Sequence, residues 1–243
     1  MSNPPLDPEF YARRAAARKE LDACNPKLKA EGDPTDPTRV NWFDYVYSLA
    51  GGDPARVPWA RLAPHPLLAA WLEREGSLAG LRVLDVGCGL GDNAEALAAA
   101  GAETTAFDFA ALAIEWANRR FPQSSVRYFT ADLLAPPPEW EAGFDLVHEY
   151  ATLQTFPAEL LPSAAVALAR LVAPGGRLLV LSTAREEGEA QTTSWRPMTR
   201  AEIQALAVDG LVLEVIEDFP PKGPYSSRLW RALFRKRGRE TTS

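Results

Sequence analysis

The chain is poor in the residues from which metal sites and disulfide scaffolds are built. Among 243 residues there are two cysteines, Cys24 and Cys88, and two histidines, His65 and His148. A structural zinc site takes about four such ligands at close spacing, and these four are scattered, so no metal site is expected. A disulfide framework is excluded for the same reason. Basic charge is in deficit as well: 26 Lys and Arg stand against 32 Asp and Glu, for a net charge of −6. A general nucleic-acid binder would carry the opposite balance, so no nucleic-acid partner is expected. No apolar run reaches the roughly 18 residues of a membrane-spanning helix. The opening Met1-Ser2-Asn3-Pro4-Pro5 lacks a basic-then-apolar signal pattern. The expectation is a soluble cytoplasmic protein with no membrane partner, either a monomer or a weak homodimer.

What is present is ample apolar material, 47% of residues, in a length suited to one α/β domain with a modest addition. The chain divides into three parts. Residues 1–40 are polar and rich in proline, an extension that is partly helical or flexible. Asp7-Pro8-Glu9 opens a helix through Tyr11, Ala16 and Leu21. Arg13, Arg14, Arg18 and Lys19 on it read as a solvated face. Residues 41–77 concentrate Trp42, Phe43, Tyr45, Val46, Tyr47 and Leu49, then Trp59, then Pro64-His65-Pro66 and an apolar helical stripe of Leu67, Leu68, Trp71 and Leu72. This part reads as a helical cap that forms one domain with residues 78–243.

From Leu81 strands and helices alternate. Strands are expected at 81–86, 104–107, 126–129, 144–148 and 177–182, with helices at 92–100, 110–120 and from the fourth strand to about Val172. Alternating βα units mean a parallel sheet with helices on both faces. The end differs: after a helix opened by Thr199 and Glu202 at capping-box spacing, strands at 211–217 and 229–235 follow with no helix between them. The fold class is therefore α/β, a seven-stranded, mostly parallel, Rossmann-like sheet closed by an antiparallel hairpin.

The first strand runs into Asp85-Val86-Gly87-Cys88-Gly89-Leu90-Gly91-Asp92-Asn93. Glycines are needed where the backbone turns sharply and a ligand approaches with no Cβ in the way. The spacing is G-x-G-x-G rather than the G-x-G-x-x-G of dinucleotide binders, so no pyrophosphate has to be cradled. Asp108 ends the second strand, where a carboxylate accepts from both hydroxyls of a ribose. Asp132 follows the third strand, placed to accept from an exocyclic adenine amine, with Phe109 and Leu133 available to sandwich the ring. Together these three signals on successive strand ends describe a nucleoside site.

These residues, with Phe144-Asp145-Leu146-Val147 and Leu171-Val172-Ala173-Pro174-Gly175-Gly176-Arg177-Leu178, resemble the class I S-adenosylmethionine-dependent methyltransferases. The resemblance covers roughly residues 42–235. Within that class the chain is similar to the thiopurine and tellurite-resistance methyltransferase branch, through Trp42, Val57-Pro58-Trp59, Pro64-His65-Pro66-Leu67-Leu68 and Ser194-Trp195-Arg196-Pro197-Met198-Thr199. The resemblance implies S-adenosylmethionine as cofactor. Gly87, Gly89 and Gly91 would line its methionine moiety and Asp85 would help hold the amino end. Asp108 would bind ribose and Asp132 adenine. Asn93 would join the cofactor set, the backbone of His148 and Glu149 would face the methionyl group, and Trp42 would pack on the cofactor. Cys88 reads as a small packing residue, since methyl transfer needs no enzyme nucleophile.

For the acceptor side, His148, Glu149 and Tyr150 follow the fourth strand and are the catalytic candidates, His148 as a base. Tyr45, Tyr47 and Trp195 would form an aromatic lid with Trp59 nearby, and Arg185 and Arg196 would attract an anionic group. The expected reaction is methyl transfer to a small molecule, a thiol or similar soft nucleophile. The alternatives are O-methylation of a small hydroxyl or carboxyl metabolite, and a protein that binds S-adenosylmethionine without turnover.

Overall fold

In the computed structural model, which describes residues 7–24, 38–189, 196–221 and 227–238, the alternating units build one seven-stranded sheet. Five strands run parallel: β1 (Arg82–Val86), β2 (Glu103–Asp108), β3 (Arg127–Thr130), β4 (Phe144–Tyr150) and β5 (Val172–Thr183). The hairpin of β6 (Leu211–Phe219) and β7 (Leu229–Lys236) completes it, with β7 antiparallel to both β5 and β6. The order β3-β2-β1-β4-β5-β7-β6 reverses direction between β1 and β4. Ligands in open α/β sheets lodge at such a switch point, outside the carboxyl ends of the strands.

Helices α4 (Asp92–Ala99), α5 (Ala111–Arg120) and α6 (Leu161–Leu171) connect the parallel strands. The central strands β1, β4 and β5 are buried on both faces, which is why they read as largely apolar runs, while the edge strands β3 and β6 are more exposed. Val147 of β4 packs with Leu84, Leu168 and Phe234 on one face, and its neighbour Leu146 with Leu68, Leu97 and Leu179 on the other. The helix α7 (Arg200–Gln204) is opened by the expected capping box, with Thr199 Oγ1 accepting from the Glu202 N–H and the Glu202 carboxylate from the Thr199 N–H.

Three helices precede the sheet: α1 (Pro8–Cys24), α2 (Thr38–Ala50) and α3 (Pro66–Glu75). Tyr47 and Ala50 of α2 pack with Val57, Leu90, Ala113 and Trp116. The α5 N-terminus has no cap from its own sequence, and Asp44 of α2 supplies one by accepting from the Leu112 N–H at 3.0 Å. That bond ties α2 to the first turn of α5, just past the carboxyl end of β2.

Two elements after β4 differ in their start from the sequence expectation. The strand β5 begins at Val172 rather than Arg177, because pairing jumps from Phe144 with Val172 to Leu146 with Arg177 and the Pro174-Gly175-Gly176 turn is held as a bulge. The helix after β4 begins only at Leu161. Pro157 and Pro162 delay it, and residues 153–160 form two 3-10 turns instead. These turns become a wall of the site.

Candidate functional site

A cavity of about 1380 Å³ opens over the carboxyl ends of β1, β2 and β4. Its floor is the glycine loop. Gly87 and Gly91 have φ of 64° and 87°, a region where an L side chain is strained. Their surroundings are also filled: a Cβ on Gly87 would lie 2.1 Å from Thr152 Oγ1, and one on Gly91 would lie 2.5 Å from the Tyr128 hydroxyl. Thr152 Oγ1 in turn donates to the Val86 carbonyl at 3.1 Å. At Gly89 only the Tyr47 hydroxyl comes near, at 3.6 Å. The loop is therefore packed tightly behind and open toward the cavity.

Asp108 sits beside this floor. Its Oδ2 accepts from the Gly89 N–H and its Oδ1 from the Ala110 N–H, each at 2.9 Å. Burial raises its pKa to about 6, against the two backbone donors, with Asp44 and Asp85 adding to the rise. Each carboxylate oxygen keeps a lone pair for a further donor. Asp132 lines the cavity too, its Oδ1 fixed by the Leu134 N–H at 2.9 Å, as do Phe109 and the buried Leu133. Gly87, Gly89, Asn93, Phe109, Asp108, Asp132 and Leu133 are thus brought to one cavity. Asn93 Oδ1 accepts from the His65 N–H at 2.8 Å, joining the loop helix to the cap. Gly91 turns the loop but does not line the cavity. Burial pushes the Cys88 thiol well up, with Asp108 and Asp85 adding to the effect, and a protonated thiol is a poor nucleophile.

Several sequence candidates lie elsewhere. β4 does not end at His148 but continues through Tyr150, so His148 and Glu149 are interior sheet residues paired to Leu179 and Val180. Both side chains have no exposed surface. His148 Nδ1 is 2.6 Å from Asp85 Oδ1 of the neighbouring strand, and Asp85 is itself buried. The pair is therefore part of the core, and neither side chain borders the cavity. Glu149 Oε1 accepts from the N–H groups of Thr152 and Leu153, which fixes the turn that walls the cavity. Burial lifts the Glu149 pKa to about 8, opposed by those two bonds. Only Tyr150 of the three reaches the cavity.

Of the aromatic candidates, Tyr47 and Trp59 line the cavity and are joined, Trp59 Nε1 donating to the Tyr47 hydroxyl at 2.8 Å. Trp42 and Tyr45 lean on each other outside it, with Tyr45 54% exposed. Arg185 and Arg196 are taken up by the α7 capping box. Arg185 donates to the Pro197 carbonyl at 2.7 Å and pairs with Glu202, as does Arg196. Trp195 lies outside the described residues.

The helix α1 is expected from the sequence, but its basic residues read there as a solvated face, and its place at the cavity is not foreseen. Pro8, Tyr11, Ala12, Ala15 and Arg18 line the cavity together with Arg14. The first five recur at helical spacing and mark a single stripe, whereas Arg13 on another face pairs with Asp53 at the exposed surface. His65, between two prolines, has a specific structural role. It caps α3, its Nδ1 accepting from the Leu67 N–H at 3.2 Å. A neutral ring accepting at Nδ1 carries its proton on Nε2. Burial holds the His65 pKa down near 3, with Arg61 and His148 lowering it further.

Comparisons with known proteins bear on the fold and the family. Residues 83–176 match the family described as methyltransferase domain. The chain is 36% identical over 116 residues to a ubiquinone biosynthesis O-methyltransferase of Aromatoleum aromaticum, covering 47% of this chain and 49% of that protein. It is 39% identical over 124 residues to the Xylella fastidiosa protein of that name, covering 49% and 48%. The chain thus spans about half the length of the curated relatives it matches. A structure solved in work on conversion of a disulfide bond into a thioacetal group during echinomycin biosynthesis superposes with a TM-score of 0.68 at 26% identity, covering 83% of this chain and 94% of that one. The N-methyltransferase NodS from Bradyrhizobium japonicum, in complex with S-adenosyl-L-homocysteine, superposes with a TM-score of 0.63 at 20% identity, covering 82% and 98%, and so shares the fold.

Proposed function

We propose that this chain, whose residues 83–176 match the methyltransferase domain family, transfers a methyl group from S-adenosylmethionine to a small-molecule acceptor. The observation that carries the reading is the pairing of an open glycine cradle with Asp108, whose carboxylate both anchors the Gly89 N–H and faces the cavity. Those residues suit a nucleoside with an amino-acid tail. Asp108 would take the ribose hydroxyls, Asp132 the adenine amine between Phe109 and Leu133, and the loop from Gly87 to Gly89 the methionine portion. S-adenosylmethionine supplies a methyl group already activated on a sulfonium, so the protein has chiefly to position the acceptor and exclude water. Such positioning supplies on the order of 7–11 kcal/mol.

The finer reading is a thiol or similarly soft acceptor that ionises without help. His148 and Glu149 are buried, and His65 is already an acceptor at Nδ1. A proton can leave a thiol of pKa about 8.5 without a base at neutral pH, whereas an ordinary hydroxyl needs one. The neighbour associated with thioacetal formation and the branch-level resemblance at Pro64-His65-Pro66 support sulfur. The ubiquinone O-methyltransferase relatives favour a second reading, methylation of a hydroxyl acidic enough to ionise. Among partners, only small molecules fit this scheme.

The test is formation of S-adenosylhomocysteine with matched aromatic thiols and phenols between pH 6 and 9. The expected result is turnover of thiols with a rate that rises through the acceptor's own pKa. Turnover of phenols alone would shift the assignment to oxygen, and cofactor binding with no turnover on either series would leave a binding protein.

A further inference from the structure

The two ends of the cavity differ in charge. Asp108 and Asp132 stand at the nucleoside end. At the other, Arg14 and Arg18 of α1 and Arg61 of the cap border the same space beside Tyr150 and His65. Arg14 donates to the Ala60 carbonyl, and its guanidinium lies 4.6 Å from the Tyr11 ring centre. Burial lowers its pKa, the Tyr11 and Tyr150 side chains oppose the fall, and the cations Arg61 and Arg18 add to it. Arg61 is held next to Leu62, whose φ of 58° is strained for a residue with a side chain, and its buried Nε has no hydrogen-bond partner. Among the described residues no carboxylate lies within 4 Å of Arg14 or Arg61. Tyr150 emerges from the end of β4, its ring 4.4 Å from that of His65, and it lies close enough to Arg14 to act on its charge.

Confined cations gathered on one wall of a largely apolar cavity are stabilised by an anion held between them. Much of the remaining lining is apolar, with Phe43, Trp59, Pro58 and Phe156 among it. Cavities that hold one drug-sized ligand are about 300–1,000 Å³, so a volume of about 1380 Å³ has room for cofactor and acceptor together. We propose that the acceptor is an apolar, aromatic-sized molecule bearing a carboxylate, and that Arg14 and Arg61 bind that carboxylate beside Tyr150, making α1 the acceptor-recognition element. This rests on the methyl-transfer reading for the word acceptor, but the anion site itself does not depend on it.

The experiment compares 2-naphthoate with its neutral counterpart 2-naphthamide, titrated by calorimetry into protein saturated with S-adenosylhomocysteine. The carboxylate is expected to bind at least tenfold more tightly. Arg14→Gln should reduce that preference to threefold or less, and Arg14→Lys should retain part of it. In both variants affinity for S-adenosylhomocysteine should stay within twofold, which also reports that they fold. Equal binding of naphthoate and naphthamide to the wild-type protein would overturn the proposal. So would a loss of S-adenosylhomocysteine affinity in Arg14→Gln matching the loss of naphthoate, since the arginine would then serve the cofactor's own carboxylate. If S-adenosylhomocysteine fails to bind at all, the methyl-transfer reading falls, and the same naphthoate comparison on the free protein decides the anion site.

Discussion

Asp108 gives the sharpest handle on the cofactor site, because its two jobs respond differently to pH. In the free protein its carboxyl titrates near 6, raised chiefly by burial. The folded protein thus holds this proton more tightly than the unfolded chain, so the carboxyl's contribution to stability is full below about pH 4 and is lost as pH rises through 6. Ionised Asp108 costs the free fold up to about 3 kcal/mol. A ribose donating two hydroxyls to the carboxylate would relieve that cost and would bind the charged form in preference. At pH 5 about one molecule in ten carries the charged form, and at pH 7 about nine in ten. Affinity for S-adenosylhomocysteine is therefore expected to rise about tenfold between pH 5 and 7, or ~1.4 kcal/mol.

The ligand does not confuse this window, because its carboxyl titrates at about 3.5 and its amino group at about 7.7–8.0. Calorimetry at constant ionic strength in half-unit steps reads the curve. Asp108→Asn should abolish the step and weaken binding at pH 7 by about 1–3 kcal/mol, through loss of charge-assisted bonds. Its amide must also turn an N–H toward the Gly89 or Ala110 donor, so a modest fall in Tm should accompany it. A flat wild-type curve, or tighter binding at pH 5, would refute the assignment of Asp108 to the ribose.

Other residues make separable predictions. Burial raises Glu149 to about 8, so its contribution to stability is full below about pH 4.5 and is lost as pH rises through 8. Thermal melts of Glu149→Gln should fall less than wild type between pH 5 and 8.5, and parallel curves would show that the carboxyl does not titrate in that range. His148→Ala strands buried Asp85 and should cost about 3–5 kcal/mol in denaturant unfolding, while the folded enzyme keeps its rate within tenfold; a loss of about 10²-fold would instead mark a general base. Gly87→Ala drives a methyl into Thr152 and should remove cofactor binding. Adding Thr152→Gly clears the clash and leaves backbone strain of about 1–2 kcal/mol, so the double variant should regain measurable affinity, and failure to do so would assign the loss to strain alone.

The sheet and the nucleoside half of the site were legible because each is a local signal repeated. Apolar runs at strand length, punctuated by glycine and proline, specify βα units, and Gly87, Asp108 and Asp132 all follow strand ends in sequence. The acceptor half was harder to read because it depends on where a strand stops and which face a helix presents. Ending β4 at His148 put His148 and Glu149 in the open. Extending it by two residues, to Tyr150, buries both and exposes the tyrosine. In α2 the aromatic run alone does not tell Tyr47, which turns inward, from Tyr45, which turns out.

The N-terminal helix shows the deeper reason. Its basic residues read as solvated because most helix arginines are, and the stripe that includes Tyr11, Ala15 and Arg18 is weakly apolar. What makes Arg14 and Arg18 part of a site lies about forty residues downstream. Asp53 holds Arg13, the Ala60 carbonyl holds Arg14, and the loop through Arg61 to His65 brings a third cation and a neutral donor to the same wall. Each of those contacts is long-range and individually modest, and none has a spacing rule. A cofactor common to many enzymes is bound by backbone turns that must recur in sequence. A particular acceptor is bound by side chains from whichever elements a fold places over its switch point. If α1 recognises the acceptor as proposed, its arginines belong to the part of this protein that sets what it acts on.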